Sequence, residues 1–185
     1  MHPVFKSSLL RGKWTSRILL PAVRSLGGPR AAINVVYRRL GRSPDILLVK
    51  RRVSPYDPWS GDVGFPGGGV KGRESPWQAA MRETFEEVGI PPSKLVLEAS
   101  LGEEGTLALP GLRVHVYLSR LIGDPVLKVN KYELVGAWWV PVSSLRGPSR
   151  LFHVFKGRVV EAYVFDGGLV WGLSKRVLDR VLGIL

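Results

Sequence analysis

Three glutamates of the sequence share one face of a predicted helix. Projected at about 100° per residue, Glu83, Glu86 and Glu87 fall within one stripe of the helix surface. Like charges at three- and four-residue spacing destabilise a helix, and Arg82 is the only nearby cation on it. Hard divalent cations such as Mg²⁺ take carboxylate oxygens, often together with substrate phosphate. The spacing therefore indicates a metal site for phosphate chemistry, and a solvated acidic face is the alternative.

A glycine-rich segment stands directly before this helix. Gly67, Gly68 and Gly69 follow one another, and Gly72 comes three residues later. Because glycine has no Cβ atom, the backbone of such a segment can approach a ligand closely. We therefore expect a loop beside the carboxylates.

The ends of the helix are marked by residues that favour helix starts and stops. Ser75 is a good N-cap, Pro76 suits the first helical position, and Gln78 completes a capping box. Gly89 ends the helix, and two prolines follow it. The residues predicted to face the core are Ala80, Met81, Thr84, Phe85 and Val88.

Residues 68–90 resemble the box that defines the Nudix hydrolases. The matching positions are Gly68, Glu74, Arg82, Glu83, Glu86, Glu87, Gly89 and Ile90, whereas Thr84 stands where the family usually has an aliphatic residue. A pattern of this length is far more specific than a lone glycine loop. The resemblance implies an α/β fold, namely an α/β/α sandwich with a mixed β-sheet in which the box forms a loop–helix–loop.

The resemblance also implies roles for individual residues. Glu83, Glu86 and Glu87 would bind Mg²⁺ or Mn²⁺, which would lower the pKa of an attacking water. Glu74 would assist the site, and Arg82 would hold a glutamate by a charge-assisted hydrogen bond, so both join Glu83 and Glu86 in the implied catalytic set. The general base stays open among Glu86, Glu103, Glu104 and Glu133.

Segments on both sides of the box resemble the coenzyme A diphosphatase branch of this family. They are residues 47–51 and 61–68 upstream and residues 111–114, 138–141 and 170–173 downstream. Val49 replaces the usual threonine of that branch, and the stretch after Arg51 lacks its second arginine. This resemblance implies cleavage of coenzyme A or acyl-CoA into phosphopantetheine and adenosine 3′,5′-bisphosphate. Coenzyme A also carries a 3′-phosphate, and arginines suit phosphate groups, so Arg51, Arg52 and the basic N-terminal segment could bind it; the alternative is that these arginines lie in solvent at a strand end. Arg51 and the three consecutive glycines are the expected substrate-binding residues.

Other functions stay open beside this one. A Nudix hydrolase for ADP-ribose, a dinucleotide or a nucleoside triphosphate is the alternative within the family. A nucleic-acid-binding or RNA-processing protein is the alternative outside it, suggested by the basic charge. Nucleic acid is disfavoured as a partner because no basic motif is interleaved with aromatic residues. We expect a small-molecule nucleoside diphosphate derivative, and a homodimer is left open.

The net charge of +12 is distributed unevenly over the 185 residues. Residues 1–52 carry 12 Lys and Arg against Asp45 alone, a net of +11, and the rest of the chain carries a net of +1. Such asymmetry indicates an anionic partner or a solvated basic face. The chain has no cysteine, which excludes disulfides, cysteine nucleophiles and thiolate metal sites. No apolar run reaches the roughly 18 residues of a membrane helix, so we expect no transmembrane segment and a cytoplasmic protein.

The remaining patterns predict one mixed α/β domain. An amphipathic basic helix at residues 4–19 belongs to an N-terminal segment, residues 1–28, that we expect to pack on the hydrolase domain at residues 29–185. Strands are predicted at residues 31–39, 45–51, 94–101, 112–121, 134–140 and 159–165, and a closing helix at 170–181. Trp138 and Trp139 must point to opposite faces of their strand, so one is expected in the core and the other could stack on an adenine.

Overall fold

The structure is a computed structural model, and it describes residues 30–145, 150–155 and 158–185. The N-terminal helix predicted at 4–19 and the packing of residues 1–28 on the domain lie outside the described residues. None of the helices within the described ranges is long and apolar enough to cross a membrane.

The secondary structure follows the predicted order of elements. The strands are β1 (Arg30–Arg38), β2 (Asp45–Arg51), β3 (Val63–Gly64), β4 (Gly67–Gly69), β5 (Leu95–Gly105), β6 (Arg113–Leu121), β7 (Leu134–Pro141), β8 (Arg150–Phe155), β9 (Arg158–Phe165) and β10 (Gly168–Val170). The helices are α1 (Pro76–Val88), α2 (Val142–Leu145) and α3 (Gly172–Leu182), and a 3-10 turn occupies Pro92–Lys94. All six predicted strands and both predicted helices after residue 30 are confirmed, whereas β3, β4, β8 and β10 were not predicted.

The strands form two sheets. The larger has seven strands, with the order β3-β2-β1-β6-β5, and β4 and β7 pair with β1 and β2. Its β1 and β6 run parallel, while the other neighbours are antiparallel, so the sheet is mixed as expected. The second sheet has three strands in the order β10-β9-β8.

Hydrophobic clusters cover both faces of the large sheet. One cluster joins residues of β1, β2 and β6 to Val177, Leu178 and Val181 of α3. The other joins the opposite face of those strands to α1. Trp138 packs against the first cluster and Trp139 against the second, so both are core-facing. The α/β/α sandwich is therefore confirmed, with the small sheet sharing one outer layer with α3.

Helix α1 begins and ends as the sequence predicts. The Ser75 hydroxyl accepts from the Gln78 amide at 3.2 Å, and the Gln78 side chain accepts from the Ser75 amide at 2.8 Å. Gly89 takes the left-handed conformation, with φ of 74°, that glycine adopts without strain. The prediction that Phe85 faces the core was wrong, because its side chain is 44% exposed. Glu83 and Glu87 lie on the buried side of α1 instead.

The three consecutive glycines form the short strand β4 rather than the predicted loop. They pair with residues 31–33 of β1. A Cβ atom on Gly67 would lie 2.3 Å from the Ala32 carbonyl oxygen, so only glycine lets the two strands approach this closely. This pairing fixes β4 between β1 and the glutamate face of α1.

Candidate metal centre

Three carboxylates converge at the inner face of α1. Each of Glu83, Glu87 and Glu133 offers an oxygen, and these oxygens lie within 4.8 Å of one another. Glu83 and Glu87 come from α1, and Glu133 comes from the turn before β7. Among the described residues, this is the group of acidic and histidine side chains placed closely enough to hold a metal ion. We call these three residues the carboxylate cluster.

Glu87 is the most deeply placed member of the carboxylate cluster. Its side chain is 1% exposed. The Gly67 amide donates to its Oε2 at 3.0 Å, and Arg51 Nη1 lies 3.5 Å from its Oε1. Burial raises the pKa of Glu87 to about 8, although the Gly67 amide and the Arg51 charge both act to lower it. The protein's own groups therefore only partly offset the free-energy cost of ionising Glu87 at this buried position.

Arg82 connects the other acidic residues of the box. Its guanidinium donates to both carboxylate oxygens of Glu74, at 3.1 and 2.7 Å. It also donates to Glu83 at 2.5 Å and to Glu86 at 3.0 Å. The fifth acceptor atom is the Gly69 carbonyl oxygen at 3.0 Å, and this bond ties α1 to β4. Charge-assisted bonds from Arg82 to glutamates, of the kind that the resemblance implies, are thus present.

The surroundings of Glu74 favour its ionised form, which pairs with Arg82. Partial burial would raise the pKa of Glu74, but the hydrogen bonds from Arg82 and from the Lys71 amide outweigh this effect and lower it. The hydrogen bond with Glu74 in turn raises the pKa of Arg82. Glu74 lies next to the N-cap residue of α1, so this pair fixes the segment before the helix against its second turn.

Gly68 allows the carboxylate cluster to lie directly against strand β4. A Cβ atom at this position would lie 2.5 Å from the Cδ atom of Glu83. The absence of a side chain therefore leaves room for the Glu83 carboxylate directly against the backbone of β4. Gly69, by contrast, has nothing within 4 Å of such an added atom.

The four candidate bases lie in different places. Glu133 belongs to the carboxylate cluster. Glu86 adjoins it through Arg82, with a side chain that is 44% exposed. Glu103 lies 3.2 Å from Arg113 and 3.3 Å from His115, on the strands β5 and β6. Glu104 pairs with two arginines of α3. The structure thus brings Glu86 and Glu133 to the box and holds Glu103 and Glu104 in other ion pairs.

Arg51 is already paired within the protein. Its Nε donates to the Asp57 carboxylate at 2.6 Å, besides its contact with Glu87. Asp57 was not predicted from the sequence, and it lies in the stretch that departs from the related branch. The one feature of the sequence that could have indicated this ion pair is that Asp57 is an acidic residue six positions after Arg51.

A cavity of about 410 Å³ opens beside the carboxylate cluster. The three glycines of β4 and Arg51 belong to its wall. Most of the remaining wall is apolar and includes Trp59, Phe65, Leu109, Leu112, Trp171 and Leu173. Residues 62–65 and 171–174 meet here, and the Trp171 indole Nε1 donates to Asp62 at 3.1 Å. Two segments that are far apart in sequence therefore form one wall.

The carboxylate cluster fits a hard divalent cation. Its donors are all carboxylate oxygens, which Mg²⁺ and Mn²⁺ accept. Two of the three donors are buried, and burying like charges so close together costs free energy unless a cation lies among them. The residues present therefore suit the metal that the box implies.

The chain resembles known proteins both in sequence and in fold. A family model described as NUDIX domain matches residues 28–163. The C. elegans Ap4A hydrolase, in a crystal structure of its binary complex, is 27% identical in sequence to this chain, with a TM-score of 0.52. The match covers 63% of this chain and 82% of that one. A Nudix hydrolase from M. smegmatis, RenU, is 17% identical with a TM-score of 0.57, and the match covers 83% of each chain.

One curated protein of Schizosaccharomyces pombe also matches. This uncharacterized protein is 31% identical over 117 residues, which make up 57% of this chain and 34% of that protein. The chain thus spans about a third of the length of the curated relative that it matches.

Proposed function

Since the chain belongs to the Nudix family, we propose that it hydrolyses a diphosphate linkage with a divalent cation held by Glu83, Glu87 and Glu133. The observation that carries the proposal is the convergence of these three carboxylates beside β4. The resemblance implies Glu83, Glu86 and Glu87 as ligands. The proposal takes Glu133 in place of Glu86, because Glu133 belongs to the carboxylate cluster and Glu86 does not. Mg²⁺ or Mn²⁺ is the expected ion, because the donors are oxygens.

A bound cation would polarise the diphosphate and lower the pKa of an attacking water. The protein's own residues position the groups for this reaction. Arg82 fixes Glu83 by a hydrogen bond, and the Gly67 amide fixes Glu87. Arg51 borders both the cavity and Glu87, so it is placed to adjoin the substrate's phosphates.

Glu86 is the base that we propose for activating the water. It adjoins the carboxylate cluster without belonging to it, and its side chain is 44% exposed, so water reaches it. Arg82 donates to its Oε2 at 3.0 Å, and among the described residues none donates to its Oε1. A carboxylate that is oriented on one oxygen and open on the other suits proton transfer.

Coenzyme A or an acyl-CoA is the substrate that we propose. The support is that residues 62–65 and 171–174, which overlap the segments resembling the coenzyme A branch, both line the cavity beside the cluster. Segments that meet at a ligand-sized cavity are placed to determine specificity. The products would be phosphopantetheine and adenosine 3′,5′-bisphosphate.

A dinucleotide or ADP-ribose is the second candidate. It is favoured by the likeness to the Ap4A hydrolase, which is 27% identical to this chain. The pairing of Arg51 with Asp57 also weakens the case for Arg51 as a receptor of the 3′-phosphate.

Product analysis separates the two candidates. The full chain would be incubated in Mg²⁺ with coenzyme A, 3′-dephospho-coenzyme A, ADP-ribose and Ap4A in parallel. We expect adenosine 3′,5′-bisphosphate from coenzyme A, with catalytic efficiency at least about tenfold above that for the dephosphorylated compound, or roughly 1.4 kcal/mol. Faster cleavage of ADP-ribose or Ap4A would assign the second candidate, and cleavage of none would contradict the hydrolase itself.

A further inference from the structure

The carboxylate cluster adjoins two surfaces of different chemistry. One is the cavity, whose wall includes Gly67 and Arg51, and both of these contact Glu87. The other is the turn that carries Glu133, where the Arg52 amide donates to the Glu133 carbonyl oxygen at 2.8 Å. A diphosphate bound at the cluster would therefore adjoin both the cavity and this outer surface.

The outer surface combines an exposed aromatic ring with cations. We call it the rim and define it as Arg52, Lys131 and Tyr132. Tyr132 is 95% exposed. Arg52 Nη1 donates to the Lys131 carbonyl oxygen at 3.0 Å, which holds the two segments of the rim together. Exposed rings suit stacking on a nucleobase, and the neighbouring cations suit its phosphates.

The cavity offers the opposite chemistry. Its wall is mostly apolar, and its charged residues balance, with Arg30 and Arg51 against Asp57 and Asp62. Arg51 is paired with Asp57, and Asp62 accepts from Trp171. A phosphorylated nucleoside placed here would add negative charge to a mostly apolar site whose charged residues already balance. An uncharged arm with alkyl and amide groups avoids this cost.

We infer that the substrate binds in one direction, with its phosphorylated nucleoside on the rim and its uncharged arm in the cavity. The inference rests on the proposed hydrolysis of coenzyme A, in which these two parts are the adenosine 3′,5′-bisphosphate and the pantetheine. The inference assigns recognition of the 3′-phosphate to Arg52 and Lys131 of the rim. Arg51 does not take this role, because it is paired with Asp57.

Binding of the two halves tests this direction without turnover. Isothermal titration calorimetry would measure the full chain with adenosine 3′,5′-bisphosphate and with pantetheine. Tyr132→Ala and Arg52→Ala change the rim, and Leu109→Asn changes an exposed position of the cavity wall. Arg42→Ala, an exposed arginine in the turn between β1 and β2, is the matched control. Thermal unfolding of each variant confirms that it folds.

The rim variants should weaken binding of the bisphosphate by at least about fivefold and leave pantetheine unchanged, as expected from the loss of one stacked ring or one ion pair. Leu109→Asn should do the reverse, and Arg42→Ala should change neither. Pantetheine, but not the bisphosphate, should alter tryptophan fluorescence, because Trp59 and Trp171 line the cavity.

Two outcomes would overturn the inference in different ways. If Leu109→Asn weakens the bisphosphate while Tyr132→Ala leaves it unchanged, the direction is reversed, and the proposed substrate still stands. If neither half binds the wild-type chain, the direction fails together with the coenzyme A assignment.

Discussion

The side chain of Glu87 shows how individual residues create the candidate centre. It is 1% exposed and receives one hydrogen bond from a backbone amide, at Gly67, where the absence of a Cβ atom allows β4 to lie against β1. Glu83 reaches the same point because Gly68 leaves room for its carboxylate. Gly67 and Gly68 thus matter because they have no side chain. A methyl group on Gly67 would collide with the backbone of β1, and one on Gly68 would collide with the Glu83 carboxylate.

Gly68→Ala tests this arrangement at a single residue. The new methyl group would displace the Glu83 carboxylate, which is the flexible end of its side chain, so folding should survive. A displacement of about 1 Å should lower kcat by about a hundredfold. Gly41→Ala, where an added Cβ meets nothing within 4 Å, is the control for both activity and urea denaturation. Wild-type kcat in Gly68→Ala would show that Glu83 needs no such room.

The residues of the cluster differ in how far the sequence reveals them. The stripe of Glu83 and Glu87 follows from helical periodicity alone, and α1 presents them together. Glu133 was named only as one of four candidate bases and not as a metal ligand, because its position depends on how β7 pairs with β2 and on the turn that precedes it. Asp57 was not predicted, since its pairing with Arg51 arises from a loop conformation that no periodic pattern encodes.

At the scale of elements, α1 supplies two of the three residues of the carboxylate cluster, and its start is determined by local interactions. Ser75 and Gln78 satisfy each other's backbone amides in the first turn. The pair Glu74 and Arg82 then fixes the preceding segment to the second turn of the helix. These interactions act within a short stretch of sequence, which explains why the limits of α1 were predicted correctly.

Ser75→Ala tests the contribution of this cap. Loss of the hydroxyl acceptor should lower the free energy of unfolding by about 1 kcal/mol, as measured by urea denaturation. Ser75→Thr keeps the acceptor and should retain most of the stability. An equal loss in both variants would indicate that the hydroxyl bond seen at 3.2 Å does not stabilise the helix.

The strands differ in how well the local sequence pattern predicts them. The long aliphatic strands β1, β2 and β6 carry enough periodic signal to be found from sequence. The short strands β3 and β4 exist because longer strands hold them, as in the pairing of Gly67 with Ile33 and of Val63 with Lys50. Phe85 was predicted to face the core because it falls beside Met81 and Val88 on the helical projection. The buried face of α1 instead extends towards Glu83 and Glu87 and leaves Phe85 exposed.

For the whole molecule, the most unusual property is the basic charge of its N-terminal part. Residues 1–52 carry a net charge of +11, and the diphosphates proposed as substrates are anions. A field of this kind raises the rate of encounter with anions and is screened by salt.

The salt dependence of the Michaelis constant tests this contribution. The constant for coenzyme A should rise with ionic strength in the wild type. Glutamine at the five basic positions before residue 29, namely Lys6, Arg11, Lys13, Arg17 and Arg24, should flatten this dependence. An unchanged salt slope in a folded variant would assign these positions a role other than attraction of the substrate.

Binding of Mn²⁺ to the full chain tests the central claim most directly. Electron paramagnetic resonance of free Mn²⁺ would give the affinity of the wild type, of Glu133→Gln and of Glu103→Gln, which changes a carboxylate of equal size that is paired with Arg113. The account predicts that Glu133→Gln weakens Mn²⁺ binding by at least about tenfold, whereas Glu103→Gln leaves it unchanged. Wild-type affinity in Glu133→Gln, or a comparable loss in Glu103→Gln, would contradict a metal centre formed by Glu83, Glu87 and Glu133.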